Sequence, residues 1–171
     1  MAMETAKRGS LWAGGQDYLL REAKAADLDQ IIALMADDDI RRAEHQGAEE
    51  DMEQYLHAFN QINADPAHSL MVVEAQDGTL VGTMQLTLLP GLARRGATRM
   101  QIEAVRVSSA LRGRGLGTAM IRWAISEAEN NNVQLVQLTS DAQRTDAHRF
   151  YEALGFTASH VGFKMRLAIA P

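Results

Sequence analysis

The stretch Ile102-Glu103-Ala104-Val105-Arg106-Val107 is followed four residues later by Arg112-Gly113-Arg114-Gly115-Leu116-Gly117. The first segment has the apolar content of a strand, but its phase slips. Met100, Ile102 and Ala104 keep one alternation, whereas Val105 and Val107 fall on the other. A slip near Glu103 to Val105 predicts a β-bulge, which leaves main-chain N–H groups unpaired beside the strand. A strand buried on both faces at one end gives the same pattern. The second segment is a loop opening a helix, because Met120, Ile121, Ala124, Ile125 and Ala128 recur at helical spacing after Thr118. Its glycines let the backbone turn sharply and aim several amides at one point, and a helix N-terminus favours negative charge there. That combination is a pyrophosphate cradle. A tight strand-to-helix turn with solvated arginines is the alternative.

Two other nucleotide folds fit less well. A nucleoside-triphosphate loop needs lysine beside its last glycine, and Leu116-Gly117-Thr118 has none. A dinucleotide fingerprint needs an acidic residue about 20 positions on. Glu127 and Glu129 come too early and lie on the helix itself.

Upstream of this stretch, the chain reads as an antiparallel meander. Leu70 to Ala75 is a short apolar strand, Asp77-Gly78 a hairpin turn, and Thr79 to Leu89 the return strand, with Leu80, Gly82, Met84, Leu86 and Leu88 sharing a face. After Pro90-Gly91 and a basic loop containing Arg94 and Arg95, a strand runs from Arg99 to Val107. Nearer the start, Tyr18 to Ala23 reads as the first strand. Asp27 is placed to cap a helix through Leu28, Ile31, Ile32, Leu34 and Met35. A second helix carries Met52, Tyr55, Leu56 and Phe59, and Pro66 closes it. Downstream, Asn130-Asn131-Asn132 suits a helix end. Val133 to Thr139 is then a strand, Arg144 to Leu154 a helix stopped by Gly155, and Val161 to Leu167 a final strand. The expected class is therefore mixed α/β.

Composition excludes several functions. A chain of 171 residues holds one core of ordinary size, and 46% apolar with 23% charged residues excludes wholesale disorder. With no cysteine there is no disulfide, thiolate metal site or cysteine nucleophile. The net charge of −5 argues against a broad nucleic-acid face, and Arg94, Arg95 and Arg99 give only a weak local case for one. No apolar run is long enough for a membrane span, and no signal peptide is legible, so the expected location is the cytoplasm. Residues 1–16, with Gly9, Gly14 and Gly15, read as a loose tail before a single domain at 17–168. Trp12 and Trp123 read as packing residues.

Taken with His148-Arg149-Phe150-Tyr151-Glu152-Ala153-Leu154-Gly155-Phe156, the bulge-prone strand and the Arg112–Gly117 loop resemble the GCN5-related N-acetyltransferases (GNAT). The motifs occur in that family's order from about Tyr18 to Leu167. The resemblance implies a mostly antiparallel, twisted sheet of about six or seven strands flanked by helices, whose fourth and fifth strands splay to admit acetyl-CoA. It further implies transfer of the acetyl group to a primary amine of a small molecule or peptide by direct attack, without metal, nucleic acid or membrane. Homodimers are common in the family. The alternative is a catalytically silent acyl-CoA-binding sensor or regulatory module.

Site residues follow from the same resemblance. The main chain of Val105, Arg106 and Val107 would meet the pantetheine and the acetyl carbonyl. The amides of Arg112, Gly113, Arg114, Gly115, Leu116, Gly117 and Thr118 would hold the pyrophosphate, with charge added by Arg112 and Arg114. Arg144 stands where relatives often have asparagine, and from there an arginine reaches a phosphate instead. Tyr151 is the candidate proton donor to sulfur, since a phenol with a pKa of about 10 is protonated at neutral pH. Glu103 is the candidate base through water, or a structural partner of Arg99 or Arg106. Ala104 replaces an aspartate of the glucosamine-phosphate acetyltransferases, so their substrate is not implied. His148 is a second candidate base or a helix-surface histidine, and His160 is equally open. The acidic run Asp37-Asp38-Asp39 with Glu49, Glu50 and Asp51 either attracts a cationic amine or forms a solvated helix face.

Overall fold

In the computed structural model, residues 8–37 and 51–167 are described. They form two compact units, one within 1–138 and the other within 139–171.

The first unit is a six-stranded sheet in the order β1 (Arg8–Ala13), β2 (Gln16–Glu22), β3 (His68–Glu74), β4 (Leu80–Leu89), β5 (Arg99–Val107) and β6 (Leu135–Leu138). All neighbours run antiparallel except β5 and β6, which are parallel. The parallel pair is joined by the helix α3 (Leu116–Asn130), as a parallel crossover requires. Helices α1 (Leu28–Ala36) and α2 (Met52–Ala64) connect β2 to β3.

The two faces of the sheet carry different helices. Ile31 and Leu34 of α1 pack against Val72 and Leu80. Gly82, next to the partner of Val72 in the register, points the other way, where an added Cβ would meet Met120 Sδ of α3 at 3.0 Å. The central strand β4 is consequently buried on both sides. Thr83, 1% exposed, satisfies its hydroxyl on the Met71 carbonyl at 3.0 Å.

Four expectations are corrected. First, Arg8 to Gly15 is no tail: β1 pairs with β2 through the Gly14-Gly15 turn, and Gly9 lets Trp123 of α3 approach so closely that a Cβ would lie 2.9 Å from Nε1. Residues 1–7 lie outside the described residues. Second, Trp12 is 65% exposed and packs no core. Third, the Asp27 side chain does not cap α1. Its carboxylate accepts from the Lys24 N–H at 2.7 Å and from both terminal nitrogens of Arg21 at 2.7 and 3.0 Å, while Arg21 Nε donates to Glu74 at 2.7 Å. An N-terminal side-chain cap is found instead at α2, where Asp51 accepts from the amides of Glu53 and Gln54.

The fourth concerns the second unit. It contains α4 (Thr145–Ala153), but no strand forms over Val161 to Leu167. Val161, Phe163, Met165 and Leu167 keep strand alternation yet are 74–94% exposed. Alternation supplies a face; a strand also needs a neighbour for its amides, and this segment has none among the described residues.

Candidate active site

In the first unit, the site is built where β5 changes partners. Gln85 pairs with Glu103 and Thr83 with Arg106, so Met84 alone opposes both Ala104 and Val105. This is the β-bulge that the phase slip predicts. Ala104 is driven to φ 51°, a left-handed conformation that costs a non-glycine residue about 1–2 kcal/mol. On the other side, the parallel ladder with β6 ends at Ile102 opposite Leu138. β6 itself ends at Leu138, so from Glu103 to Val107, where the bulge lies, β5 has no pairing with β6.

The carbonyls in this segment are already engaged. That of Val105 accepts from Arg106 Nη1 at 2.8 Å, and that of Val107 from Arg112 Nε at 3.3 Å. Glu103 is exposed and its side chain forms no hydrogen bond or ion pair among the described residues, so neither Arg99 nor Arg106 is its partner.

Beyond Val107, a short helical turn at Ser109–Leu111 leads into the glycine-rich loop. The amides of Arg112 and Arg114 close turns on Ser109 and Leu111, each at 3.3 Å, and are thereby removed from the expected set of phosphate donors. Those of Gly113, Gly115, Leu116, Gly117 and Thr118 donate to nothing among the described residues. An unsatisfied first turn is the general condition of a helix N-terminus, and α3 has no side-chain cap to relieve it. Gly113 and Gly115 sit at φ 75° and 85°, and a Cβ on either would meet nothing within 4 Å. The space beside both glycines is open, and a loop with unbonded amides at a helix start has the chemistry to hold a pyrophosphate. Leu116 contributes its amide alone, since its side chain is buried in the core.

Arg112 was expected to face phosphate. Its guanidinium instead meets Asp37 at the end of α1, donating to the Asp37 carbonyl and lying 3.5 Å from Oδ2. The same carboxylate accepts from the Ser109 N–H at 2.9 Å. Asp37, read in the sequence as part of an acidic run, is thus a structural anchor of the loop. Asp38, Asp39, Glu49 and Glu50 lie outside the described residues.

The second unit carries the remaining candidates. Arg144 precedes α4, with its amide bonded to the Asp141 carbonyl at 3.0 Å. Tyr151 is half-buried, its ring edge-on to Phe150 and Phe156 with centroids 5.0 and 5.8 Å away. His148 Nε2 lies 2.8 Å from the Asp141 carbonyl, and His160 is exposed beside Ser159. A cleft of about 260 Å³ between α2 and β3, lined by Phe59, Ile62, His68 and Leu70 among others, contains none of the expected site residues. Among the described residues no three metal-binding side chains cluster, and no helix is long and apolar enough to cross a membrane.

The family model for the acetyltransferase (GNAT) family matches residues 28–156. The chain belongs to this family. It is an acetyltransferase, and its sheet is the GNAT fold. Aminoalkylphosphonate N-acetyltransferase of Salmonella typhimurium is 28% identical over 149 residues, covering 86% of this chain and 90% of that protein. Among solved structures, one described as a transcriptional regulator from Bacillus halodurans C-125 is 40% identical, with a TM-score of 0.79 over 86% of this chain and 98% of that one. A chain of Clostridium acetobutylicum, crystallised with acetyl-CoA, shares the fold at 16% identity, with a TM-score of 0.64 over 87% of this chain and 96% of that one. GNAT enzymes use acetyl-CoA and act on amines.

Proposed function

We propose that the chain transfers the acetyl group of acetyl-CoA to a primary amine by direct attack, with β1 (Arg8–Ala13) joining residues 17–168 in one acetyltransferase domain. The observation that carries this reading is the set of amides at Gly113, Gly115, Leu116, Gly117 and Thr118 that donate to nothing among the described residues, following a strand whose pairing with β6 ends at Ile102. When bound, acetyl-CoA supplies an activated thioester. The five free amides and the helix N-terminus bind its pyrophosphate, and the parted edge of β5 takes the extended pantetheine as a β-strand takes a partner. The Val105 N–H faces the oxyanion that develops during attack. Glu103, exposed and unpaired, accepts the amine's proton through water. Tyr151 protonates the departing sulfur, a role that rests on its place in the family motif. Arg144 adds charge toward a phosphate.

The test is steady-state release of CoA thiol across chemically diverse amines. The expected result is turnover that depends on both acetyl-CoA and one amine class, and that falls by about 100-fold in Tyr151→Phe while acetyl-CoA affinity stays near that of the parent. Full-rate turnover in that variant removes Tyr151 from the mechanism. Acetyl-CoA binding with no turnover on any amine favours the sensor reading instead.

A further inference from the structure

Up to the bulge, the two faces of β5 have opposite chemistry. Met100 and Ile102 point into the core and are at most 1% exposed, with Leu86 and Leu88 of β4 opposite them. The other face shows Arg99, Gln101 and Glu103 in succession. Their register partners on that face are Leu89, Thr87 and Gln85 on β4, and Leu135 and Gln137 on β6 for the first two. Gln137 Nε2 donates to Gln101 Oε1 at 2.7 Å, which fixes both amides across the parallel pair. Gln85, Gln101 and Gln137 are half-buried and Thr87 is buried. A strand with neighbours on both sides and a covered face ordinarily shows apolar residues there. A wall of half-buried amides bracketed by two opposite charges calls for a polar occupant.

The charges are ordered along the strand. Alternate residues lie about 7 Å apart, so Glu103 and Arg99 stand about 14 Å apart at the backbone, within reach of one another's ligand through long side chains. Arg99 is half-buried, and its side chain, like that of Glu103, makes no hydrogen bond or ion pair among the described residues. The phosphate loop lies past Val107, at the opposite end of the bulge from these residues. Acetyl donor and polar wall are therefore approached from opposite ends of β5.

We infer that this wall binds the acceptor, and that the acceptor is a zwitterion: an amine presented at Glu103 and an anionic group held by the Arg99 guanidinium, with a polar or short alkyl spacer against Gln85, Gln101 and Gln137. Carboxylate, phosphonate and phosphate share the chemistry that an arginine fork recognises. The inference rests on the reading of the bulge as the acetyl site.

The experiment compares three acceptors with matched alkyl chains: a neutral primary amine, the corresponding ω-amino carboxylate and the ω-aminoalkyl phosphonate. CoA thiol release gives kcat/KM, and calorimetry on protein saturated with CoA gives the affinity of each. The full-length parent protein should prefer at least one anionic acceptor by about tenfold, the equivalent of one charge-assisted hydrogen bond. That preference, taken as the ratio to the neutral amine, should collapse in Arg99→Gln, return in part in Arg99→Lys and reverse in Arg99→Glu. The two anionic arms distinguish carboxylate from phosphonate recognition. A ratio that does not change in Arg99→Gln overturns the inference, as does a parent that treats all three alike or binds neither anion. Should acetyl-CoA itself fail to bind, the fault lies with the acetyl-site reading; binding of the anionic amine to CoA-free protein, and its loss in Arg99→Gln, would then still decide the role of Arg99.

Discussion

Asp37 ties the end of α1 to the glycine-rich loop through Arg112: its carboxylate lies 3.5 Å from Arg112 Nη2 and accepts the Ser109 N–H at 2.9 Å. Seventy-odd residues separate the partners in sequence, yet this contact sets where the loop begins its turn. Asp37→Ala should raise the KM for acetyl-CoA about fivefold, the equivalent of one hydrogen bond, with a smaller effect on kcat. Asp37→Asn keeps an oxygen for the Ser109 amide and should recover most of the loss. Equal KM values for all three proteins would contradict an anchoring role.

Gly9 gives a prediction for the N-terminal strand. A methyl group there meets the Trp123 ring at 2.9 Å, a contact that forces the indole or the strand to move. Gly9→Ala should cost about 1–3 kcal/mol in chemical denaturation, as overpacking does elsewhere. An unchanged midpoint would mean that β1 does not pack on α3.

The buried Arg21–Asp27–Glu74 cluster makes stability depend on acid. The hydrogen bonds from Arg21, more than any other influence, hold the Asp27 carboxyl below its ordinary value despite burial. A carboxylate lowered in the folded state stabilises the fold above its unfolded pKa, near 3.9, and that contribution disappears as pH falls through the lower folded value. Thermal melts should accordingly show a steep loss below about pH 4. In Asp27→Asn that part of the pH dependence should be absent, and stability at neutral pH should drop by about 3 kcal/mol, because Arg21 loses its bidentate partner. A variant as stable as the parent at pH 7, with the same acid profile, would rule this out.

How much of this was legible in the chain follows from the range of each signal. The phase slip near Glu103 to Val105 is local, and the bulge falls within that window, although the pattern alone also fits a strand buried on both faces. The glycines of the loop are likewise local, because a left-handed φ at positions 113 and 115 is demanded by the turn itself. The strand Arg8–Ala13 escaped notice because Gly9, Gly14 and Gly15 lower strand propensity, and the reason for Gly9 is a tryptophan on a distant helix. Val161 to Leu167 failed in the opposite sense: the pattern is present, but pairing is a property of two segments. The polar face of Arg99, Gln101 and Glu103 was visible only as the unremarked half of an alternation. It gains meaning once the register sets Gln85, Thr87 and Gln137 beside it. Asp37 was read as one charge in an acidic run, since nothing near it in sequence announces Ser109 or Arg112.

The account stands or falls on whether the free amides at the start of α3 bind the acetyl donor. Isothermal titration of acetyl-CoA into the purified protein, alongside Gly115→Val, tests this most directly. Gly115 is at φ 85° at the helix start, so valine both strains the backbone by about 1–2 kcal/mol and places side-chain atoms in the open cradle. One-site binding by the parent, weakened at least about tenfold in a variant that remains folded, is the predicted result. Absence of heat with the parent, or equal affinity in both proteins, would contradict it.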